Sequence, residues 1–241
     1  MKTTILSMMA VVAMMWGEGT VRDSLAQTRP ETPTEHTRPD HQMNIPSDGA
    51  FHHRFEDAEK WAKEFDNPER DAWQKPEEIL DALHLQRSSL VADVGAGTGY
   101  FSVRIAKRIP EGKIFAADIE PDMVRYLGER AREHLINLVP VQASADAVNL
   151  PEQVDVALVV DTYHHIGNRT QYFAKLKSSL RPAGRLVIVD FKADSPNGPP
   201  VRHRISPERV TQELKAAGYA LVGTLQFLPR QYCLVFDKGK P

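Results

Sequence analysis

The sequence predicts an α/β protein: a mostly parallel sheet with helices on both faces, ending in an antiparallel hairpin. Three observations carry this. Between residues 90 and 191, short β-type runs alternate with helical patterns, as crossover connections of a parallel sheet require. The stretch "VADVGAGTGYF" sets Gly95, Gly97 and Gly99 between an apolar run and an amphipathic one, the form of a strand-to-helix turn. Near the end, two β-type runs at 221–228 and 231–236 are separated by Pro229-Arg230 alone, far short of the dozen or so residues of a parallel crossover.

The elements follow in order. Phe55, Ala58, Trp61, Ala62 and Phe65 recur at helical spacing, Asn67-Pro68 breaks that helix, and Pro76 opens another through Ile79, Leu80 and Leu83. Strands are expected at 90–94, 113–119, 138–143, 154–160 and 184–191, with helices at 100–108, 121–137 and 170–180 between them. Ser206-Pro207-Glu208 opens a last helix, Gly218 closes it, and the hairpin follows.

Composition narrows the function classes. The 241 residues, 41% hydrophobic and 26% charged, suffice for one domain with a sizeable core and some tail. A net charge of -2 supplies no basic field, so neither nucleic acid nor an anionic membrane is expected as partner, and a small molecule is. The single cysteine, Cys233, builds neither a disulfide framework nor a thiolate metal site and reads as a buried apolar residue. His36, His41, His52 and His53 have no metal-ligand spacing and no carboxylate or thiol frame, so no metal is expected.

Residues 1–26 read as an export signal. Lys2 precedes an apolar run over 5–16 broken only by Ser7, and Ser24-Leu25-Ala26 places small residues at a cleavage site. Export to the periplasm or beyond is expected. The run falls short of the roughly 20 residues of a bilayer span, so an uncleaved membrane anchor is the alternative. Residues 27–50, with Pro30, Pro33, Pro39 and Pro46 among polar neighbours, read as a flexible linker, leaving 51–241 for the folded domain.

The glycine turn lies where open α/β sheets bind ligands, at the carboxyl ends of the strands. Glycine there is expected to let backbone amides touch a ligand, next to a helix amino end that favours negative charge. Asp118 ends the second strand, where an acidic side chain accepts hydrogen bonds from ribose hydroxyls, so the ligand contains a nucleoside. Tyr100 stands where the dinucleotide pattern G-x-G-x-x-G requires glycine. That, with the hairpin, disfavours a pyrophosphate cradle and a nicotinamide-dependent oxidoreductase.

At these residues the sequence resembles the class I S-adenosylmethionine-dependent methyltransferases, specifically the broad group similar to ubiquinone and menaquinone C-methyltransferases. Over about residues 75–236, "DVGAGTG" is similar to the family's first motif, "AADIEPDMV" to its second, "SADAVNLP" to its third, "VDVALVVDTYHHI" to its fourth and "LRPAGRLVIVDF" to its fifth-strand motif. The resemblance implies a Rossmann-like methyltransferase fold of seven strands, S-adenosylmethionine as cofactor, a small-molecule acceptor and a helical lid over residues 51–88.

It further implies that Gly95, Gly97 and Gly99 admit the methionine and ribose parts, that Asp93 organises the amino acid end, and that Asp118 takes the ribose hydroxyls. Ile119 is expected to pack on the adenine, with Ala145 and Asp146 facing its amino group, and Asp161 to stand near the methionine end and the acceptor. Tyr163 is expected to set its ring near the sulfonium, and His164 or His165 to take a proton. Phe65, Trp73 and Gln74 are expected in the lid, and Arg202, His203 and Arg204 to attract an anionic substrate group.

Structural alternatives stay open: a turn cap at Asp146, a helix cap at Asp161, a core anchor at Trp73, and a solvated loop over 192–204. No Asn-Pro-Pro-Tyr or Asp-Pro-Pro-Tyr run follows strand four, which argues against an amide or adenine amino acceptor; the lone cysteine argues against arsenic or cytosine C5 chemistry. A non-catalytic module that keeps the donor pocket for sensing or partner binding is the rival reading.

Overall fold

The computed structural model describes residues 53–239. The export-signal and linker segments, 1–26 and 27–50, lie outside the described residues. The described residues begin with α1 (Ala58–Phe65), a 3-10 turn (Pro68–Arg70), α2 (Asp71–Gln74) and α3 (Pro76–Ala82). Asn67 caps the 3-10 turn through the Glu69 amide, and Pro68 and Pro76 fill first-turn positions, where a missing N–H costs nothing.

The sheet follows as β1 (Leu90–Val94), α4 (Tyr100–Arg108), β2 (Lys113–Asp118), α5 (Pro121–His134), β3 (Leu138–Gln142), β4 (Val154–Val160), α6 (Arg169–Ser178), β5 (Leu180–Phe191), α7 (Pro207–Ala216), β6 (Ala220–Leu225) and β7 (Gln231–Asp237). Its order is β3-β2-β1-β4-β5-β7-β6. The first five strands pair in parallel. β7 lies antiparallel to both β5 and β6; between the last two, the short link from Leu225 to Gln231 can only reverse the chain.

All five residues of β1 are buried, as in a strand covered on both faces. On one face Ala92, Val94, Ala157 and Val159 pack with Phe173 and Leu176 of α6 and Val210 and Leu214 of α7. On the other, Val91, Val156 and Leu158 pack with Ile79 and Leu80 of α3 and Phe101 and Ile105 of α4. The seven-stranded sheet with its terminal hairpin is thus the expected architecture.

Boundaries differ in places. β5 starts at Leu180, earlier than expected, because Leu180 pairs with Val154 before a bulge lets Arg185 rejoin at Val156. The Arg-Pro-Ala-Gly stretch between them looks like a turn but forms the irregular start of β5; α6 accordingly stops at Ser178. α5 stops at His134 rather than residue 137, and the Asn137 side chain donates to the Ala106 and Ile109 carbonyls, closing the end of α4.

Candidate active site

A cavity of about 830 Å³ opens at the carboxyl ends of β1, β2, β4 and β5 under the N-terminal helices. The volume lies within the roughly 300–1,000 Å³ of small-molecule sites. Gly95, Gly97, Asp93, Asp118, Ile119, Ala145, Asp146 and Asp161 all line it.

The three glycines serve three purposes. A Cβ on Gly95 would meet the Thr162 side chain at 2.3 Å, so glycine is needed here to fit against the turn that follows β4. Gly97, at φ +54°, is the position where a side chain would project toward the lid, with Phe65 at 3.5 Å. Gly99, at φ +90°, does not line the cavity; a Cβ there would meet Leu127 of α5 at 2.8 Å. Of the three glycines expected to admit the ligand, Gly95 and Gly97 line the cavity and Gly99 does not.

The loop amides also differ from expectation. The Gly95 and Ala96 N–H groups donate to the Ala117 carbonyl at 2.8 and 3.0 Å, and the Gly97 N–H donates to Asp118 Oδ2 at 2.8 Å. Amides spent this way do not form a phosphate cradle, which is a physical argument against a dinucleotide beyond the glycine count. Asp118, 7% exposed, also accepts the Glu120 N–H at 2.9 Å, and burial pushes its carboxyl up from the ordinary range. Beside it Ile119 is 52% exposed, an apolar surface available to a flat ring.

Asp146 is more solvated than a buried adenine contact: it pairs with Lys175 at 2.6 Å and accepts from Ser144 Oγ at 2.8 Å, which hold its carboxyl low. Asp93 is buried, accepts from Ser102 Oγ at 2.6 Å, and desolvation pushes it up to about 6.

The N-terminal helical segment is tied to the loops after β1 and β2 and to α5. Ala58 N–H donates to Asp122 at 2.7 Å, Arg54 pairs with Glu120 at 2.8 Å, and Thr98 Oγ1 and Arg130 both bind Asp66. Phe65 and Trp73 line the cavity. Gln74 does not. It is fully buried and bonds Gln231 of β7 at 2.7 Å, and Gln231 in turn donates to Asp161 Oδ1. This residue, expected in the lid, joins the N-terminal helical segment to the sheet.

Asp161 sits at φ 54°, a left-handed conformation that costs energy in a residue other than glycine. Its carboxylate meets Arg70 at 3.2 Å, while burial pushes its pKa up to about 7. Tyr163, expected beside the sulfonium, turns the other way. Its ring stacks on Phe173 at 5.1 Å and its hydroxyl donates to Glu213 at 2.8 Å, because the 3-10 turn Tyr163–His165 sets successive side chains about a third of a turn apart, Tyr163 toward the core and the two histidines toward the cavity. His164 and His165 do line the cavity; His164 is 3% exposed, with Nδ1 at 2.9 Å from Asp190 Oδ1.

After β5, Asn197, Gly198, Pro199 and Pro200 form part of the cavity wall. Arg204 is no anion trap: its guanidinium donates to the carbonyls of Lys192, Ala193, Ser195, Asn197 and Pro199 and holds that wall together. Arg202 is exposed and, like His203, does not line the cavity.

Sequence reasoning missed Arg70, Asp190 and Gln231. Arg70 lies 4.2 Å from the Tyr100 ring, which Arg104 covers from 4.0 Å, so the tyrosine that replaces a dinucleotide glycine becomes a fixed post between two guanidiniums. No local pattern marks these residues, since each acts on a partner at least 26 positions away.

Residues 91–184 match a family described as a methyltransferase domain. The malonyl-acyl-carrier protein O-methyltransferase of Hahella chejuensis is 31% identical over 100 residues, 40% of this chain and 34% of that protein. The ubiquinone/menaquinone biosynthesis C-methyltransferase of Proteus mirabilis is 26% identical over 116 residues, 46% of each. The chain thus spans between a third and a half of these curated relatives. A SAM-dependent methyltransferase structure from Aquifex aeolicus aligns with a TM-score of 0.70 at 26% identity, over 76% of this chain and 98% of that one.

Proposed function

We propose that this chain, whose residues 91–184 match a methyltransferase domain, is a class I S-adenosylmethionine-dependent methyltransferase that transfers a methyl group to a small-molecule acceptor. The observation that carries the reading is the shape and charge of the donor half of the cavity. Gly97 leaves room beside the loop, Asp118 stands at the end of β2, Ile119 offers an open apolar face, and Asp93 and Asp161 add carboxyl groups raised by burial.

Such a set fits a nucleoside with a cationic tail. Asp118 would hold the ribose hydroxyls, Ile119 the adenine, and Asp93 and Asp161 the charged end. A cation restores the ionised form of carboxyls that burial disfavours. When bound, S-adenosylmethionine supplies an electrophilic methyl group on a sulfonium. The chain's own part is alignment and exclusion of water: Phe65 and Trp73 cover the cavity, Gln74 and Gln231 fix Asp161, and Arg204 sets the opposite wall.

Calorimetry tests the reading: S-adenosylmethionine and its demethylated product should bind, and NAD should not. Absence of both nucleosides would overturn it. Incubation with isotopically labelled donor and a cell extract then identifies the acceptor. Export through residues 1–26 is proposed alongside, checked by N-terminal sequencing of the mature protein; a chain beginning at Met1 in the cytoplasm would refute it.

A further inference from the structure

Taking the methyltransferase reading as its basis, we propose that the methyl acceptor carries an organic cation of the ammonium type, held by Glu64 and the aromatic rings around α1, and that the methyl group goes to another atom of the same molecule. Charge, side-chain spacing and ring geometry each support this.

The charge lining the cavity is unequal. Its carboxyl groups are those of Glu64, Asp93, Asp118, Glu120, Asp146 and Asp161, against the cations Arg54, Arg70 and Lys175. Each cation is spent on a carboxylate: Arg54 on Glu120 at 2.8 Å, Arg70 on Asp161 at 3.2 Å and Lys175 on Asp146 at 2.6 Å. Asp93 accepts from Ser102, and Asp118 from the Gly97 and Glu120 amides. Of the six carboxyl groups, that of Glu64 has no hydrogen-bond or ion-pair partner among the described residues. An anionic acceptor thus meets no unmatched lysine or arginine in the described lining, whereas a cation meets an unmatched carboxylate. The charged end of the donor falls to Asp93 and Asp161 under the methyltransferase reading, which leaves Glu64 for the acceptor.

Glu64 stands among rings. Trp61, Glu64 and Phe65 occupy positions i, i+3 and i+4 of α1, side by side on one helix face. The Trp61 and Phe65 rings stack at 5.3 Å, Phe55 lies 5.0 Å from Trp61 and 5.6 Å from Phe65, and His165 lies 5.5 Å from Phe55. All of them line the cavity. An aromatic face carries negative charge density and attracts a cation, and a carboxylate beside it adds Coulomb attraction. Trp61 already draws one cation, Lys60 Nζ at 5.7 Å, which does not line the cavity. An uncharged flat molecule would use the rings and leave the carboxylate to lose water with nothing in return; an ammonium group uses both.

An ammonium nitrogen has no lone pair to receive a methyl group. It is therefore the handle by which the acceptor is held, and the nucleophilic atom is a different, uncharged one. Glu64 is exposed, so solvent screens its attraction and the rings supply the larger share.

The test uses the full chain saturated with S-adenosylhomocysteine at about pH 8, above the ordinary histidine range. Choline and its uncharged carbon isostere, 3,3-dimethylbutan-1-ol, have the same shape, and 3,3-dimethylbutanoate supplies an anion. Titrations followed by nuclear magnetic resonance should show choline bound about 2- to 30-fold more tightly than the alcohol, the range of a cation–π contact, with the anion weakest. Glu64→Gln should cut that preference about 2- to 5-fold with affinity for S-adenosylhomocysteine unchanged, and Trp61→Leu should remove most of it. If Trp61→Leu does not fold, Glu64→Gln alone decides. Equal binding of choline and the alcohol, tighter binding of the anion, or a choline preference unchanged in Glu64→Gln would each overturn the proposal while leaving the donor site in place. A choline preference that Glu64→Gln reduces, in a protein that binds neither S-adenosylmethionine nor S-adenosylhomocysteine, would overturn the methyltransferase reading and leave the cation subsite assigned.

Discussion

Replacing Asp118 with asparagine tests the donor site at its most connected point. The carboxylate receives two amide hydrogen bonds, from Gly97 at 2.8 Å and Glu120 at 2.9 Å, so it both shapes the loop and faces the cavity. Asparagine keeps the size but has one acceptor oxygen, and its amide group meets the other N–H head-on. One charge-assisted hydrogen bond is lost, about 1.5–3 kcal/mol. Donor dissociation constants should therefore rise about 10- to 150-fold by calorimetry. S-adenosylmethionine and S-adenosylhomocysteine should weaken alike, because both carry the ribose. Unchanged affinity would remove Asp118 from the site. A loss confined to S-adenosylmethionine would place it at the sulfonium and refute the ribose assignment.

Gly97→Val should abolish donor binding in calorimetry while circular dichroism shows the fold retained, because the new side chain enters the space below Phe65. Gly99→Ala should instead cost about 1–3 kcal/mol in urea unfolding, since its Cβ meets Leu127 at a positive φ; an unchanged midpoint would refute that close packing. For Asp161, burial raises the folded pKa to about 7, so the ligand-free protein loses stability as pH rises from the ordinary carboxyl range through 7. Asp161→Asn should gain on wild type by about 1–3 kcal/mol between about pH 5 and pH 8, measured as the difference in unfolding free energy; a pH-independent difference would sink the assignment. Arg204→Ala should expose residues 192–204 to limited proteolysis and lower stability by about 2 kcal/mol, with donor affinity retained.

Much of the donor half was legible because its determinants are local. The glycine turn follows a strand fully buried on both faces, and Asp118 ends the next strand with Ile119 directly after it, so periodicity alone brings them to one rim. The acceptor half was not, because side chains on one short turn point opposite ways. Tyr163, His164 and His165 are adjacent in sequence, yet Tyr163 goes to Glu213 in the core and His164 goes to Asp190 at the cavity. A 3-10 turn rotates successive side chains by about a third of a turn, so adjacency predicts nothing about which one faces a ligand.

By itself, the sequence determined the alternation of strands and helices, the antiparallel end of the sheet, and the rim on which a nucleoside would sit, since each depends on spacing within a few dozen residues. Tertiary structure decided the partners. Gln74 and Gln231 stand 157 positions apart and meet at 2.7 Å to hold the lid to the sheet. Arg204 turns inward onto five carbonyls instead of outward to a substrate. Buried polar groups must find partners or pay desolvation, and which partner is within reach is fixed only once the strands have taken their order.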